Sequence, residues 1–147
     1  MNTYEKWFSG VVWFGILVNL TFWLPALVAP NIVINMFNIE GDFWTIWLRN
    51  VGMLLLLVAL FNAAAALAPS RYPLVSWFVV LSRLIASAFF LEVWLFNSLH
   101  SSDRPEVFMW LFITDFSFAA VKGVLLNLGL PQDNRVNLTN LMKLITN

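Results

Sequence analysis

Four long apolar runs dominate this chain of 147 residues, and they extend over residues 7–29, 43–68, 74–98 and 107–130. Each run is close to the roughly 20 residues that an α-helix needs to cross the hydrocarbon core of a bilayer. Inside lipid the backbone N–H and C=O groups must be satisfied within the segment itself, so such runs cross the membrane as helices. The sequence therefore predicts an all-α integral membrane protein, built as a bundle of four transmembrane helices.

The composition supports this class and excludes several others. Hydrophobic residues make up 61% of the chain and charged residues only 11%, and eight Lys plus Arg balance eight Asp plus Glu. A neutral chain has no long-range field to attract nucleic acid. Without cysteine, and with one histidine, the chain lacks the ligands for an iron–sulfur cluster, a bis-histidine haem or a clustered histidine metal site. We expect one membrane domain over residues 1–147, with no metal and no nucleic-acid partner.

The prolines mark where the predicted helices end and begin. Pro25 and Pro30 should first kink and then end the first helix, because proline removes a backbone donor and clashes with the preceding turn. Pro69 and Pro73 enclose a tight turn between the second and third helices. Pro105 lies just before the fourth run, where a proline fits the first turn of a helix.

Two shorter segments have the pattern of helices that lie on a membrane surface. Residues 31–39 predict an interfacial segment on the outer side. Its apolar face should consist of Ile32, Val33, Met36 and Phe37. Residues 134–146 place apolar side chains at helical spacing, which predicts a C-terminal amphipathic helix. Either lipid anchoring or docking to another subunit would explain that tail.

The basic residues outside the apolar runs indicate the orientation of the chain. Lys6, Arg71, Arg135 and Lys143 fall on one predicted side, and Arg104 falls on the other. Loops that carry more Lys and Arg face the cytoplasm. The sequence therefore predicts that both termini are cytoplasmic.

Several charged residues lie inside the apolar runs, and they are the strongest indication of a functional site. They are Arg49, Arg83, Glu92, Asp115 and Lys122, and the polar Asn50 follows the first of them. A charge at the centre of a bilayer costs about 2.5 to 3.5 kcal/mol on insertion scales, so such residues pair, become hydrated or line a cavity.

The depth of each charge follows from a rise of ~1.5 Å per residue. Counted from the outer ends of the predicted spans, Arg49 and Glu92 lie about 9 Å deep and Asp115 about 12 Å. Arg83 and Lys122 lie about 22 Å from the same surface. These depths predict an outer layer of charges with Arg49, Glu92 and Asp115, and a deeper layer with Arg83 and Lys122. In the structural interpretation, the arginine of the outer layer pairs with one of its two carboxylates, while Arg83 bonds backbone carbonyls or snorkels and Lys122 extends toward the cytoplasmic interface.

A functional interpretation of the outer layer is a polar pocket that opens to the outer side. In it Arg49 holds an anionic or carbonyl group, and Glu92 or Asp115 accepts a proton as the candidate catalytic residue. The aromatic wall of the pocket would consist of Trp47, Trp94 and Trp110. An aromatic belt at the membrane interface is the simpler explanation of those tryptophans.

Three segments carry a family resemblance, and they are Leu24-Pro25 to Pro30 at the end of the first helix, Trp47-Leu48-Arg49-Asn50-Val51-Gly52 at the start of the second, and Pro69-Ser70-Arg71-Tyr72-Pro73 ahead of Arg83. Together these segments resemble the small DoxX-like membrane proteins of bacteria. The likeness covers roughly residues 10–97. It implies a four-helix bundle in the bacterial inner membrane, and some relatives are small subunits of quinone-linked oxidoreductases. It assigns no catalytic residues to this chain.

Three functions fit the sequence. The leading one is a non-catalytic accessory or anchoring subunit of a larger membrane complex, such as a quinone-linked redox complex. The second is an independent binder or enzyme for a quinone or another lipophilic molecule, which uses the charged pocket. The third is proton conduction. Expected partners are the lipid bilayer and either a membrane protein or further copies of this chain. No cofactor motif is evident, and a bound quinone or lipid is compatible with the pattern.

Overall fold

The protein was analysed as a computed structural model, which describes residues 1–37, 44–96 and 105–131. The helices in these ranges are α1 (Thr3–Val28), α2 (Pro30–Phe37), α3 (Trp44–Leu67), α4 (Pro73–Leu95) and α5 (Pro105–Gly129). Four of them, α1, α3, α4 and α5, are long and apolar enough to cross a membrane. This confirms the prediction of an all-helical chain with four membrane-compatible helices. The predicted tail helix at 134–146 lies outside the described residues.

The four long helices pack side by side in the cyclic order α1, α3, α4, α5, and each contacts the next. Neighbours run antiparallel. The Ser9 hydroxyl near the start of α1 donates a hydrogen bond to the carbonyl of Ala66 near the end of α3. The Asn2 amide donates to the carbonyl of Gly129, at the end of α5, over 2.7 Å. The start of α1 and the ends of α3 and α5 therefore share one end of the bundle, which we call the N-terminal end.

A capping box fixes the start of α1. The Asn2 side chain accepts a hydrogen bond from the backbone N–H of Glu5 over 2.9 Å, and the Glu5 carboxylate accepts one from the backbone N–H of Asn2 over 3.0 Å. These bonds satisfy donors that the first turn of a helix otherwise leaves unpaired. Because of them α1 begins at Thr3, ahead of the apolar run from which its start was predicted.

The prolines lie where the sequence places helix boundaries. Pro25 is inside α1, and the backbone N–H of Ala29 donates to its carbonyl over 2.8 Å as the helix ends. Pro30 begins α2, Pro73 begins α4 and Pro105 begins α5. Each of these three occupies the first turn of its helix, where the missing N–H costs no hydrogen bond.

Two glycines allow neighbouring helices to approach closely. A Cβ atom on Gly52 of α3 would lie 3.1 Å from both the Trp23 carbonyl oxygen and the Leu27 backbone nitrogen of α1. A Cβ atom on Gly123 of α5 would lie 3.4 Å from a methyl group of Val80 in α4. Small residues at such positions let transmembrane helices pack backbone against backbone.

The apolar core of the bundle is concentrated toward its N-terminal end. Its largest cluster of buried residues contains Phe8, Val12, Ala65, Ala66, Val79, Val80, Leu126 and Leu130. They come from all four long helices, so this cluster is the common centre around which the bundle packs.

The short helix α2 forms a second cluster at the opposite end of the bundle. Val33 is 1% exposed and packs with Ala26 of α1 and Leu48 of α3. Ile32 is 59% exposed. The described part of this segment is helical, as predicted, with Val33 packed on the bundle and Ile32 exposed, while the side chains of Met36 and Phe37 lie outside the described residues.

Candidate functional site

An ion pair joins α4 to α5 inside the bundle. The Arg83 guanidinium donates a hydrogen bond to the carboxylate of Asp115, and both side chains are largely buried. The sequence predicts that Arg49 pairs with Glu92 or Asp115 and that Arg83 bonds backbone carbonyls or snorkels. The predicted role of Arg83 is wrong, and so is the Asp115 alternative for Arg49, because Arg83 is the arginine that meets Asp115.

The helix ends explain why the predicted layers fail. Arg83 lies twelve residues before the end of α4, and Asp115 lies ten residues after the start of α5. At ~1.5 Å per residue these positions are roughly 18 Å and 15 Å from the same end of the bundle. The arginine side chain easily covers that difference. The antiparallel register of α4 and α5 also brings Phe90 against Phe108, with ring centroids 6.4 Å apart.

Lys122 is enclosed in the same region. Its side chain is 0% exposed, and its Nζ atom lies 5.3 Å from the centroid of the Phe118 ring. A Cβ atom on Gly15 of α1 would lie 3.3 Å from that Nζ atom. Side chains in a helix lean toward its N-terminus, and Phe118 is one turn earlier in α5, so Nζ points toward the middle of the bundle. The expectation that Lys122 extends to the cytoplasmic interface is wrong.

The ammonium group of Lys122 is poorly compensated. Its Nζ atom has no hydrogen-bond partner among the described residues. A desolvated contact between a cation and an aromatic face contributes about 2 kcal/mol. Removing an ammonium group from water costs several kcal/mol, so the Phe118 contact does not offset the burial.

We call Arg83, Asp115 and Lys122 the cationic cluster. Asp115 and Lys122 are seven residues apart on α5 and therefore lie on the same face of that helix. In their ionised forms the three residues carry two positive charges and one negative charge. A guanidinium and an ammonium offer roughly eight N–H donors together, whereas a carboxylate offers roughly four acceptor sites. The cluster therefore has a surplus of both positive charge and hydrogen-bond donors.

An aromatic pair separates this cluster from the outside of the bundle. Phe14 of α1 and Phe118 of α5 stack with their centroids 6.0 Å apart and their planes 26° apart. Phe14 is exposed, Phe118 is half-buried and Lys122 is buried. The Phe14 ring therefore lies at the surface between α1 and α5, and the Phe118 ring lies between Phe14 and the Lys122 ammonium.

The remaining predicted polar residues are not part of the cationic cluster. Arg49, Asn50 and Glu92 are exposed on the surface of the bundle. Arg49 is five residues from the start of α3 and Glu92 three residues from the end of α4, which is roughly 8 Å and 5 Å at the helical rise. The structure does not bring Glu92 and Asp115 together as an acid–base pair, since one is on the surface and the other is inside.

The predicted aromatic wall is also on the outside. Trp47, Trp94 and Trp110 are all exposed, so these rings do not enclose a pocket within a single bundle.

Two shallow, apolar grooves lie on the described part of the chain. One groove of about 330 Å³ lies along α5, lined by Ala120, Val121, Val124 and Leu125. Another of about 310 Å³ lies between α3 and α4, lined by Phe61, Leu74, Val75 and Phe78. Neither is lined by a charged residue. Across the three described ranges, no three His, Cys, Asp or Glu residues come together as metal ligands.

Sequence reasoning missed two residues of the site. Gly15 leaves room for the Lys122 ammonium, and Phe118 covers it. A glycine in the middle of a transmembrane run and an aromatic residue four positions before a lysine were the available signals. Neither signal specifies which helix will lie opposite.

No protein-family model, curated protein or solved structure matches this chain. In its described residues the protein is a helical bundle with four helices long and apolar enough to cross a membrane, and a largely buried ion pair joins α4 to α5.

Proposed function

We propose that this protein is a non-catalytic accessory or anchoring subunit of a larger membrane complex. The observation that carries the proposal is the outward position of Asn50, beside Arg49, on the surface of α3. Asn50 is six residues inside that helix, or about 9 Å at the helical rise.

The physical reason lies in the cost of leaving an amide in hydrocarbon. A long arginine side chain can reach the interface from this depth, but an asparagine side chain is too short to do so. Asparagine on a transmembrane helix typically hydrogen-bonds to a neighbouring helix. Within the described part of the bundle this face of α3 is exposed, so a partner helix would supply hydrogen bonds to Asn50.

The kind of complex and its orientation are part of the proposal. The DoxX-like segments suggest a quinone-linked oxidoreductase in a bacterial inner membrane. Lys6 is in the first turns of α1 and Arg71 is in the turn after α3, and both elements belong to the N-terminal end of the bundle. This arrangement supports an orientation in which that end, with both termini, is cytoplasmic.

Co-purification tests the proposal. The tagged protein would be extracted from its native membrane in a mild detergent, and quantitative mass spectrometry would identify every protein recovered in stoichiometric amount. We expect one partner subunit with the wild type and at least a tenfold loss of it in Asn50→Leu. Met53→Leu, an exposed neighbour on α3, is the matched control and should retain the partner.

Two results would count against the accessory role. One is the recovery of further copies of this chain as the sole stoichiometric partner, which would make the protein a homo-oligomer. The other is equal recovery of the partner with wild type and Asn50→Leu, which would remove the role assigned to the outer face of α3.

A second candidate function, the binding of a lipophilic molecule, is favoured by a separate observation. The fully buried Lys122 ammonium lacks a hydrogen-bond acceptor among the described residues. A ligand at that position would supply one.

A further inference from the structure

We propose that the cationic cluster binds the anionic head of a lipophilic molecule, with a long-chain carboxylate as its chemical class, which enters between α1 and α5. This inference rests on the second candidate function, whose ligand it specifies, and it goes beyond the accessory role. It depends on residues inside the bundle, whereas the accessory role depends on the outer face of α3.

The charge of the cluster identifies the head group. Asp115 neutralises one of the two cations, and it is hydrogen-bonded to Arg83. Among the described residues the Lys122 Nζ atom has no hydrogen-bond partner, so its three N–H donors lack an acceptor there, and its ionised form adds a charge that the Arg83–Asp115 pair does not balance. One carboxylate of a ligand would balance that charge and accept those hydrogen bonds, in the way that cationic side chains recognise oxyanions.

The depth of the cluster identifies the rest of the molecule. Arg83 and Asp115 lie roughly 15 to 18 Å from the end of the bundle opposite the N-terminus, and this is about half of a 30 Å hydrocarbon core. The head group of a bilayer phospholipid stays at the interface. A single-chain carboxylic acid is small enough to carry its head to the centre, and its alkyl chain remains in an apolar surrounding.

The aromatic pair marks the route. Phe14 is exposed at the surface between α1 and α5 and stacks on Phe118, whose ring covers the Lys122 ammonium. Gly15 follows Phe14 and faces the ammonium from α1, and because it has no side chain it does not block the path. Rotation of the Phe14 ring would open a path from lipid to Nζ without separating α4 from α5.

A binding titration tests the inference. The intact protein would be purified in a detergent free of carboxylates and titrated with oleate and, separately, with oleyl alcohol, and native mass spectrometry would count the bound molecules. We expect one oleate per chain with saturable binding, and at least tenfold weaker binding of the alcohol, which has the same chain without the charge. This comparison requires no variant.

Variants then locate the site. Lys122→Met keeps the length of the side chain and removes its charge, and we expect at least tenfold weaker oleate binding. Lys6→Met changes an exposed lysine near the start of α1 and should bind oleate like the wild type. The inference is overturned if no oleate binds saturably, if the alcohol binds as well as oleate, or if Lys122→Met leaves the affinity unchanged.

The route has its own test. Phe14→Ala removes the outer ring, so oleate should associate and dissociate at least fivefold faster in stopped-flow measurements. Trp13→Ala is the matched control, since Trp13 is also an exposed aromatic residue of α1. Equal rates for Phe14→Ala and the wild type would overturn entry between α1 and α5.

Discussion

Arg83 of α4 is bonded to Asp115 of α5, so the two helices that contact each other most extensively also carry a salt bridge across their interface. We expect Asp115→Ala to lower the free energy of unfolding by about 3 kcal/mol or more, because it leaves two buried cations without a carboxylate. Unfolding of the purified protein by added SDS in mild detergent measures this change. Glu106→Ala, an exposed carboxylate in the first turn of α5, should alter the stability far less.

A double variant distinguishes the stability contributed by the ion pair from the cost of leaving one of its charges unpaired. Arg83→Met with Asp115→Leu replaces both charges by apolar groups, and we expect it to recover at least half of the stability that Asp115→Ala loses. If the double variant is as unstable as the single one, removing the unpaired Arg83 charge recovers nothing, and the loss comes from the missing ion pair or from Lys122 left without the Asp115 carboxylate.

Removing the charge of Lys122 should not lower the free energy of unfolding, unlike removing the charge of Asp115. Without added ligand, Lys122→Met should leave the free energy of unfolding unchanged or raise it by about 1 to 2 kcal/mol, because it removes a charge that is buried without a hydrogen-bond partner among the described residues. The same SDS titration measures it, and Lys6→Met serves as the exposed control. A loss of 2 kcal/mol or more in Lys122→Met would mean that the ammonium is compensated within the bundle.

Gly52 should not tolerate a side chain. Gly52→Ala places a methyl group 3.1 Å from backbone atoms of Trp23 and Leu27, which cannot move without separating α1 from α3. We expect a loss of about 1 to 3 kcal/mol in the free energy of unfolding, the usual cost of overpacking. Gly10→Ala is the control, since a Cβ atom there meets nothing within 4 Å. That change should stabilise α1 by up to about 1 kcal/mol through helix propensity.

The start of α1 depends on Asn2. Asn2→Ala removes both the cap of α1 and the hydrogen bond to the Gly129 carbonyl, so we expect a loss of about 1 to 2 kcal/mol. Hydrogen exchange should rise in the first turn of α1 and in the last turn of α5 together. Asn35→Ala changes an exposed asparagine in α2 and should leave exchange in both regions unchanged. If Asn2→Ala raises exchange in α1 alone, the hydrogen bond to α5 contributes nothing to stability.

The sequence predicts the membrane-compatible helices and most of their ends. Apolar runs of spanning length have one structural solution in lipid, and Pro73 and Pro105 each specify a first turn. The start of α1 at Thr3 was missed because it depends on the hydrogen bonds of Asn2 and Glu5, which a hydropathy pattern does not register.

The partners of the charged residues could not be derived in the same way. Helical periodicity gives the face on which Arg83 lies, but not the helix that this face meets. The depth of a charge also depends on the helix end from which it is counted, and α4 ends at Leu95, before the end of its apolar run. A shift of a few residues was enough to assign Arg83 and Asp115 to different layers.

The bond between Asn2 and Gly129 has a consequence for biosynthesis. Synthesis proceeds from α1 to α5, so the ribosome completes α1 long before it makes the carbonyl that Asn2 binds or the lysine that lies beside Gly15. The first helix is therefore complete before α5 exists to cover its packing surface. Only when the last helix arrives does the ring close, and the internal charges then become part of a sealed interior.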